Sequence, residues 1–382
     1  MRGEGSPATS VPFGELSREL AECGVDLHEA AARVIDSGWF VLGRELEAFE
    51  TEFGDYLADD AHVVGVGSGT EAIHLALVAA GVGHGDYVIT VPNTAVPTVS
   101  AISAAGAVPL LVDIDPRTFT MDPGLLREAV AREKTCLGAR LKAVVPVHLY
   151  GQCADMDPIL EVAHEFDLAV IEDAAQAAGA EYKGRKAGTI GDYGAFSFYP
   201  SKNLGCYGDG GAVAVGSADE ATRLRMLRNY GQERRYRHVI KGFNSRLDEI
   251  QAAVLRMKLP RLDAWNRRRC EIASAYEARI GSVRVSKPQA AGYGLHTWHL
   301  YVVRHPERDG LAARLATRGV GTLIHYPIPI HLQRAYSDLG LEEGAFPVSE
   351  AAASEILSLP MFPQLTNEEI AFVSRCVDEC AS

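Results

Sequence analysis

A lysine at the end of an aromatic run is the first candidate for chemistry in this sequence. Lys202 closes the segment AFSFYPSK, residues 195–202, which carries no other charged side chain. Burial among apolar groups lowers the pKa of a lysine, and the neutral amine that results can attack a carbonyl carbon and form an imine. Most lysines are solvated, so the alternative is a surface lysine in a loop. Lys202 alone is therefore no more than a candidate nucleophile.

Asp173 is a candidate acid at the end of an apolar run. Residues 168–172 read LAVIE, which predicts a buried parallel strand. Ligands of open α/β sheets bind at the carboxyl ends of such strands, where an acid can hydrogen bond to a protonated ring nitrogen. Alternation along the strand puts the neighbouring Glu172 on the opposite side. The alternative is that Asp173 caps a helix that begins at residue 174.

A glycine-rich loop offers a place for a phosphate group. The segment GVGSGT, residues 65–70, precedes a predicted helix over 72–80, and free N–H groups at a helix N-terminus bind anions. The loop is similar to the GxGxxG pattern of dinucleotide-binding proteins, but its third glycine stands one residue early. A Walker loop is excluded because no GK[ST] follows. A plain strand-to-helix turn is the other alternative.

These three features together meet the needs of pyridoxal phosphate (PLP). That cofactor requires a lysine for its imine, an acid that keeps its pyridine nitrogen protonated, and hydrogen-bond donors for its phosphate. Lys202, Asp173 and the loop at 65–70 are candidates for these roles. The sequence therefore favours a PLP site at the carboxyl edge of a sheet.

The elements that must position these residues alternate between strands and helices. Strands are predicted over 86–90, 108–112, 142–146 and 168–172, and helices over 72–80, 97–105, 155–166 and from Asp122. Such alternation predicts the α/β class, with a mostly parallel central sheet flanked by helices. Residues 208–215 are predicted as a short hairpin region and 248–280 as one long helical stretch.

The last third of the chain has the pattern of a smaller α+β domain. A strand is predicted over 299–303, and helices over 310–318 and near Ser349 and Thr366. We expect a chain of 382 residues to divide in this way. The predicted parts are a disordered leader (1–12), a large PLP-binding domain (13–255) and a small C-terminal domain (256–382).

Composition narrows the class of protein. The net charge of −13 argues against nucleic acid or an anionic membrane as the main partner. The seven cysteines are odd in number and include no CxxC pair, which argues against a disulfide framework and favours a cytoplasmic location. No apolar run reaches the ~18 residues that indicate a membrane span.

Several ordered motifs resemble those of the DegT/DnrJ/StrS family of PLP-dependent sugar aminotransferases, a branch of the aspartate aminotransferase fold. They cover nearly the whole chain: SGWFVLG (37–43), PVHLYGQ (146–152), EDAAQA (172–177), FSFYPSKN (196–203) and GFNSRLDEIQAA (242–253). The resemblance implies a PLP-dependent transferase of fold type I that forms a homodimer.

The resemblance also implies a role for each matching residue. Lys202 would form the Schiff base with PLP, and Asp173 would pair with the pyridinium nitrogen. Gln176 would lie against the ring near its phenolic oxygen. Asn244 would reach the phosphate bound by the neighbouring subunit, so that the sites would lie at the dimer interface. Three further residues would bind the phosphate: Gly69, Thr70 and Ser197.

Ala95 departs from the family pattern. Many relatives carry an aromatic residue at this position of the segment VPNTAVPT (91–98), and that ring stacks on PLP. Alanine offers less apolar contact, so the cofactor face must be covered by other groups or held more loosely. We count Ala95 as a cofactor-binding position and expect it to affect cofactor affinity and substrate choice.

The loop HYPIPIH, residues 325–331, is the main candidate for the substrate side. In relatives it borders the sugar pocket, so His325 and Tyr326 would contact the substrate, with Tyr182 as a further candidate. A metal site on the two histidines of this loop is disfavoured, because no Cys or Glu-x-x-His pattern accompanies them. A basic cluster either contacts a pyrophosphate or is a solvated loop: Arg234, Arg235, Arg237 and His238.

The resemblance implies that the protein transfers an amino group from L-glutamate to a keto group of a dTDP-activated deoxy sugar, in the biosynthesis of an amino sugar for a glycosylated natural product. Motifs 37–43 and 325–331 look more like those of relatives that act at carbon 3, although relatives acting at carbon 4 share much of the pattern. One alternative is a PLP-dependent sugar dehydratase, but those relatives carry histidine in place of Lys202. The others are an NAD-dependent sugar-nucleotide enzyme and a non-catalytic homologue.

Overall fold

Short apolar runs between amphipathic segments form the strands of this fold, as their many β-branched residues favour. The structure is a computed structural model that describes residues 10–381. Its strands are β1 (His62–Val66), β2 (Tyr87–Thr90), β3 (Val108–Leu111), β4 (Leu141–Val144), β5 (Ala169–Asp173), β6 (Glu181–Tyr182), β7 (Arg185–Lys186), β8 (Tyr193–Ser197), β9 (Gly211–Val215), β10 (Gln232–Arg234), β11 (Arg237–His238), β12 (Gly294–Leu295), β13 (Tyr301–Arg304) and β14 (Ile356–Leu359).

Most of the helices present one apolar face to these strands. They are α1 (Leu16–Ser37), α2 (Arg44–Leu57), α3 (Gly69–Ala79), α4 (Val96–Ala104), α5 (Pro123–Leu137), α6 (Met156–Glu165), α7 (Ala218–Leu227), α8 (Glu249–Lys258), α9 (Leu262–Arg279), α10 (Arg308–Thr317), α11 (Pro347–Glu355) and α12 (Asn367–Cys380). Within residues 10–381, no helix combines the length and apolar character that a membrane span requires.

The central sheet has seven strands in the order β1-β9-β8-β5-β4-β2-β3. Neighbouring strands from β8 to β3 run parallel, and β9 pairs antiparallel with both β8 and β1. The predicted α/β class with a mostly parallel sheet is confirmed. The predicted hairpin region at 208–215 is wrong, because it contains the single strand β9, which lies between β8 and the edge strand β1.

Alternation along β8 sends its side chains to two different apolar layers. Phe196 faces α2, where its ring lies 5.1 Å from that of Phe53 in an edge-to-face contact. Ala195 belongs to the opposite layer, together with Ile73 of α3. Ser197 therefore falls on the α3 side at the carboxyl end of the strand, which brings it to the start of that helix.

The predicted long helix over 248–280 is two helices. A 3₁₀ turn over Leu259–Arg261 separates α8 from α9, and it contains Pro260, which has no N–H for a continuous helix. α8 packs against α1 and α2. α9 contributes Ile272 and Tyr276 to a separate apolar cluster with β13, β14 and α12. The division at residues 255 and 256 stays a prediction.

Val11 contradicts the predicted leader over residues 1–12. Its side chain is fully buried in the apolar cluster of α9, β13, β14 and α12, and it pairs with Val320 in a parallel bridge. Burial of this apolar side chain fixes the backbone here, so the prediction of disorder is wrong at Val11. Residues 1–9 lie outside the described residues.

Candidate active site

The carboxyl ends of β5 and β8 meet the starts of α3 and α4 around a cavity of about 290 Å³. We call it the Asp173 cavity. It brings together most of the residues predicted from sequence: Gly69, Thr70, Ala95, Asp173, Gln176, Ser197, Lys202 and Tyr326. Asn244, Tyr182 and His325 do not line it. The predicted cofactor residues of this chain therefore converge on one site, apart from Asn244.

The start of α3 forms one end of the Asp173 cavity. Ser68 caps the helix, since its hydroxyl accepts a hydrogen bond from the Glu71 N–H at 3.2 Å. A Cβ at Gly69 would lie 2.5 Å from the Cβ of Ser197, so only glycine allows this close approach to β8. The N–H groups of Gly69 and Thr70 lie in the first helical turn and have no carbonyl four residues earlier in the helix. They are left to bind an anion.

A buried ion pair holds the strand that leads into this helix. Arg228 donates to the Gly65 carbonyl at 2.8 Å, and Glu50 accepts from the Gly65 N–H at 2.9 Å. The two side chains also pair with each other, and each is less than a tenth exposed. Both hydrogen-bonding groups of Gly65 are thus satisfied by side chains, which fixes the backbone just before the anion-binding turn.

Asp173 presents its carboxylate to the middle of the cavity. Its Oδ2 accepts a hydrogen bond from the Thr98 hydroxyl at 2.7 Å, and its Oδ1 accepts one from the Ala175 N–H at 3.1 Å. Burial raises the pKa of Asp173, while these two donors and the charge of Lys202 act in the opposite direction. Residues 174–176 form a turn and no helix, so Asp173 is not a helix cap.

Glu172 points to the other side of β5, as strand alternation predicts. Its carboxylate accepts hydrogen bonds from His148 Nε2 at 2.8 Å and from the N–H groups of Gly188, Ile190 and Gly191. Burial alone would raise the pKa of Glu172, but these donors lower it below its ordinary value. Because Glu172 is saturated by protein donors, it is not available to a ligand in the cavity.

Lys202 stands in the wall shared by two cavities. Besides the Asp173 cavity it lines a second one of about 550 Å³, which also contains His299, His325 and Arg269; we call this the His325 cavity. Burial lowers the pKa of Lys202 to about 8, against the opposing charge of Asp173. A large share of its amine is therefore neutral at mildly alkaline pH, as an imine-forming nucleophile requires.

The residue after Lys202 fixes its backbone to the rest of the molecule. The Asn203 amide donates to Asn266 Oδ1 at 2.8 Å and to the Thr297 carbonyl at 3.1 Å. Its oxygen lies 3.1 Å from Nδ1 of His299, which donates the hydrogen bond because an amide oxygen can only accept. Asn203 thereby joins the lysine loop to α9 and to the segment over 297–299.

His325 and Tyr326 lie near Lys202, since each lines one of the two cavities that contain Lys202. Burial, with a smaller contribution from the charge of Lys202, lowers the pKa of His325 to about 4, so the imidazole is neutral near pH 7. Gln176 donates to the Tyr326 hydroxyl at 3.1 Å and accepts from the Tyr150 N–H at 2.7 Å. The predicted substrate loop is thus connected to a predicted cofactor residue.

The donor set of the Asp173 cavity fits PLP. The unpaired N–H groups at the start of α3, next to the Ser197 hydroxyl, suit a phosphate dianion. The buried carboxylate of Asp173 suits a protonated ring nitrogen, and the amine of Lys202 suits an aldehyde carbon. Each requirement of the cofactor is therefore met by a residue whose surroundings favour that role.

Comparison with known proteins agrees with this fit. The model of the DegT/DnrJ/EryC1/StrS aminotransferase family matches residues 22–378. The chain belongs to this family. It is 46% identical over 372 residues to the dTDP-3-amino-3,4,6-trideoxy-alpha-D-glucose transaminase of Streptomyces venezuelae. The aligned region covers 97% of this chain and 96% of that relative.

Two solved structures show the same fold. DesV of S. venezuelae, in complex with a ketimine intermediate, superposes with a TM-score of 0.93 at 46% identity, over 98% of this chain and 99% of that one. NtdA of Bacillus subtilis, with its bound cofactor PMP, gives a TM-score of 0.88 at 31% identity, over 99% of this chain and 86% of that one. This member of the family is a PLP-dependent sugar aminotransferase, and the NAD-dependent alternative is wrong.

Tyr182 lines neither the Asp173 cavity nor the His325 cavity. Its side chain is fully buried, and its hydroxyl donates to Asp155 at 2.6 Å and accepts from the Asp157 N–H at 3.1 Å. Both hydrogen bonds are partly buried and anchor the start of α6. The predicted substrate contact gains no support from this placement.

Two other predicted groups lie on the surface. Asn244 is exposed and lines neither cavity of its own chain. The basic cluster at 234–238 lies in the exposed hairpin of β10 and β11, also outside both cavities. Their suggested contacts with a phosphate and a pyrophosphate stay predictions.

Ala95 stands at the N-cap position of α4, makes no side-chain capping bond and lines the Asp173 cavity. The aromatic side chains that do line the cavity are Tyr199 and Tyr326.

Sequence reasoning missed several residues that position the site: Thr98, Glu50, Arg228, His148 and Asn203. Asn203 directly follows Lys202, and His148 stands in a family motif, so both carried a signal.

Proposed function

We propose that this aminotransferase moves the amino group of L-glutamate to the carbon 3 keto group of a dTDP-activated deoxy sugar. The observation that carries this proposal is the 46% identity, along nearly the whole chain, to a relative named as a dTDP-3-amino sugar transaminase. The product would be an amino sugar for a glycosylated natural product such as an antibiotic. The presence of Lys202 disfavours the dehydratase alternative.

We assign the main chemical role to Lys202. When bound, PLP supplies a carbonyl carbon that takes up an amino group and a ring that accepts electrons from the neighbouring C–H bond. With a pKa of about 8, Lys202 Nζ is neutral in about half of the molecules at pH 8. It can thus remove a proton from a substrate carbon and return one, first for the donor and then for the sugar.

The other predicted residues would hold and orient the cofactor. The Asp173 carboxylate, which faces the middle of the cavity, would pair with the ring nitrogen. Gln176 would lie at the ring oxygen. The phosphate would be bound by three groups at the end of the cavity: Gly69, Thr70 and Ser197.

On the substrate side we assign sugar contacts to His325 and Tyr326. His325 is neutral near pH 7, so it would act as a hydrogen-bonding group and not as a cation. The Tyr326 hydroxyl already accepts from Gln176 and can donate to a sugar oxygen. Both contacts suit a neutral, hydroxyl-bearing ring.

We also propose that the enzyme is a homodimer in which Asn244 serves the site of the partner subunit. Asn244 is exposed, and large apolar side chains are exposed on the same molecule: Trp39 (63%), Phe40 (48%), Tyr230 (48%), Tyr236 (82%) and Phe243 (36%). Phe243 directly precedes Asn244, and exposed aromatic groups of this kind often mark an interface between proteins. A second copy of this chain would cover them.

Mixing two inactive variants tests this dimer. If Asn244 acts across the interface, K202A and N244A subunits exchanged into hybrid dimers contain one fully intact site, so activity returns. If Asn244 acts within its own chain, every site in the hybrid is damaged and no activity returns. Sedimentation analysis of each variant confirms that dimers are present in both cases.

The same proposal places the enzyme in the cytoplasm. All seven cysteines are free, as a reducing compartment would leave them. Measuring free thiols in protein taken directly from its natural host cells, under alkylating conditions, tests this point: seven reactive thiols after unfolding support it, and a disulfide contradicts it.

The position of amination is tested with two ketone substrates. The enzyme is incubated with ¹⁵N-labelled L-glutamate and either a 3-keto or a 4-keto dTDP-deoxy sugar, and the product is analysed by NMR. We expect ¹⁵N at carbon 3 from the 3-keto sugar and little turnover of the 4-keto sugar. Amination at carbon 4, or transfer from another amino acid only, would contradict the proposal.

A further inference from the structure

Two threonines at the start of α4 form a buried chain of hydroxyl groups that ends on Asp173. The Thr94 and Thr98 hydroxyl oxygens are 2.7 Å apart, and Thr98 Oγ1 is 2.7 Å from Asp173 Oδ2. Thr94, Thr98 and Asp173 are exposed by only 2%, 1% and 5%. No role in the proposed function accounts for the two hydroxyl groups.

The chemistry of the groups fixes the direction of these hydrogen bonds. An ionised carboxylate can only accept, so the Thr98 hydroxyl must donate to Asp173. Its oxygen is then left to accept from Thr94, and the Thr94 hydroxyl must donate. Polarisation along such a chain strengthens the final bond to the carboxylate.

We infer that Thr98, supported by Thr94, is a positioning residue that orients the Asp173 carboxylate and keeps it negative for the cofactor ring nitrogen. This inference rests on the proposed pairing of Asp173 with that nitrogen. It assigns to α4 a part in cofactor binding that does not depend on a stacked aromatic ring.

The balance of forces at Asp173 shows why a donor is needed there. Burial favours the neutral acid, and the groups that oppose it are Thr98, the Ala175 N–H, Lys202 and His148. Thr98 is the third residue of α4, so the positive end of that helix dipole adds to its effect. Without the Thr98 hydroxyl, Oδ2 would lose its donor and the carboxylate would gain freedom to rotate.

The Ala95 departure makes this contact more important in this chain. Ala95 lies in the same helical start, between Thr94 and Thr98, and provides no ring to stack on PLP. The hydrogen bond to the ring nitrogen therefore contributes a larger share of the free energy that binds the ring. Loss of the Thr98 donor is expected to weaken cofactor binding by about tenfold or more, the usual effect of a hydrogen bond to a charged group.

Matched variants test the inference on the holoenzyme. T98V removes the hydroxyl at nearly constant shape, T98S keeps it, and T94V removes only the outer donor. We measure the dissociation constant of PLP by equilibrium dialysis and titrate the visible absorbance of the bound cofactor with pH. T98V should bind PLP about tenfold more weakly and shift the titration midpoint. T94V should weaken PLP binding by about two- to threefold and shift the midpoint less. T98S should resemble the wild type.

Comparison with D173N separates this inference from the proposed role of Asp173. If D173N weakens PLP binding and T98V adds nothing in that background, Thr98 acts through Asp173, as inferred. If T98V weakens binding equally with and without Asp173, the inference about Thr98 is wrong while the role of Asp173 stands. If D173N binds PLP as well as the wild type, the role of Asp173 itself is wrong. A T98V protein with unchanged affinity and an unchanged midpoint also overturns the inference.

Discussion

The Asp173 cavity and the surfaces predicted to meet the sugar are built in different ways. Around Asp173, side chains come from strand ends and helix starts, and both carboxylate oxygens already have protein donors. His325 and Tyr326, in contrast, lie in the loop over 325–331. The cofactor end is therefore fixed mainly by the core of one subunit, to which, we propose, Asn244 of a second copy adds a phosphate contact, whereas the substrate end depends on this loop. Such a division would allow the substrate loop to vary while the cofactor site is kept.

Removal of the lysine amine should have the largest effect. We expect K202A to lose the visible absorbance of the bound cofactor and at least ~10³-fold in activity, since both attachment and proton transfer are lost. The matched control is K183A, because Lys183 is a surface lysine paired with Asp157. Absorbance spectra and steady-state turnover check both variants. Full turnover by K202A would show that Lys202 is not the residue that forms the imine and transfers the proton.

Neutralising Asp173 should be the next largest change. D173N should bind PLP more weakly by about tenfold to a hundredfold, because a charged pair in a buried site is lost. Since the charge of Asp173 raises the pKa of Lys202, D173N should also move that pKa below about 8.

The pKa of Lys202 can be followed through the pH dependence of cofactor attachment to the apoprotein. Attachment needs the neutral amine, so its rate should reach half of its maximum near pH 8 in the wild type and at lower pH in D173N. D59N, which neutralises an exposed carboxylate, serves as the control and should leave the midpoint in place. A midpoint that rises in D173N would contradict the described electrostatics.

A ring at position 95 should strengthen the cofactor end. A95Y should bind PLP about threefold to tenfold more tightly, because a stacked aromatic pair contributes about 0.5–1.5 kcal/mol beyond its buried area. The backbone at Ala95 is extended (φ −65°, ψ 144°) and accepts any side chain. A95V adds bulk without a ring and should show no such gain. Equilibrium dialysis measures the PLP affinity of the wild type, A95Y and A95V. Equal affinities would show that Ala95 does not weaken cofactor binding.

The smallest effect on catalysis should come from Tyr182. Y182F should lower the free energy of unfolding by about 1–3 kcal/mol, since two partly buried hydrogen bonds of the hydroxyl are lost. Its kcat and KM should stay within about twofold of the wild type, because the side chain touches neither cavity. Y326F is the matched comparison and should raise KM for the sugar. If Y182F impaired sugar binding and Y326F did not, the sugar contact would belong to Tyr182 and its assignment to Tyr326 would be wrong.

Local patterns predicted the elements that carry the cofactor end. The apolar run before Asp173 became β5, and the glycine loop became the start of α3, because both depend on residues close together in the chain. Thr98 was missed since its partner lies 75 residues away, and the Glu50–Arg228 pair spans 178 residues. Such contacts leave no periodic signal in a single sequence.

Two placements that the sequence did not indicate have the same physical origin. The hydroxyl of Tyr182 faces Asp155, 27 residues earlier, and nothing in the motif around the tyrosine indicates that direction. Val11 is held by Val320 from the far end of the chain. The break between α8 and α9 differs from these, since Pro260 was visible in the sequence, although the apolar spacing continued across it.

The most direct test of the central claim identifies the lysine that carries the cofactor. The holoenzyme is reduced with borohydride, which fixes the cofactor covalently to its lysine, and is then digested and mapped by mass spectrometry. We predict a single pyridoxyl-phosphate modification, on Lys202. A modification on any other lysine, such as Lys186 or Lys258, with Lys202 unmodified, would contradict the assignment of the Asp173 cavity as the cofactor site.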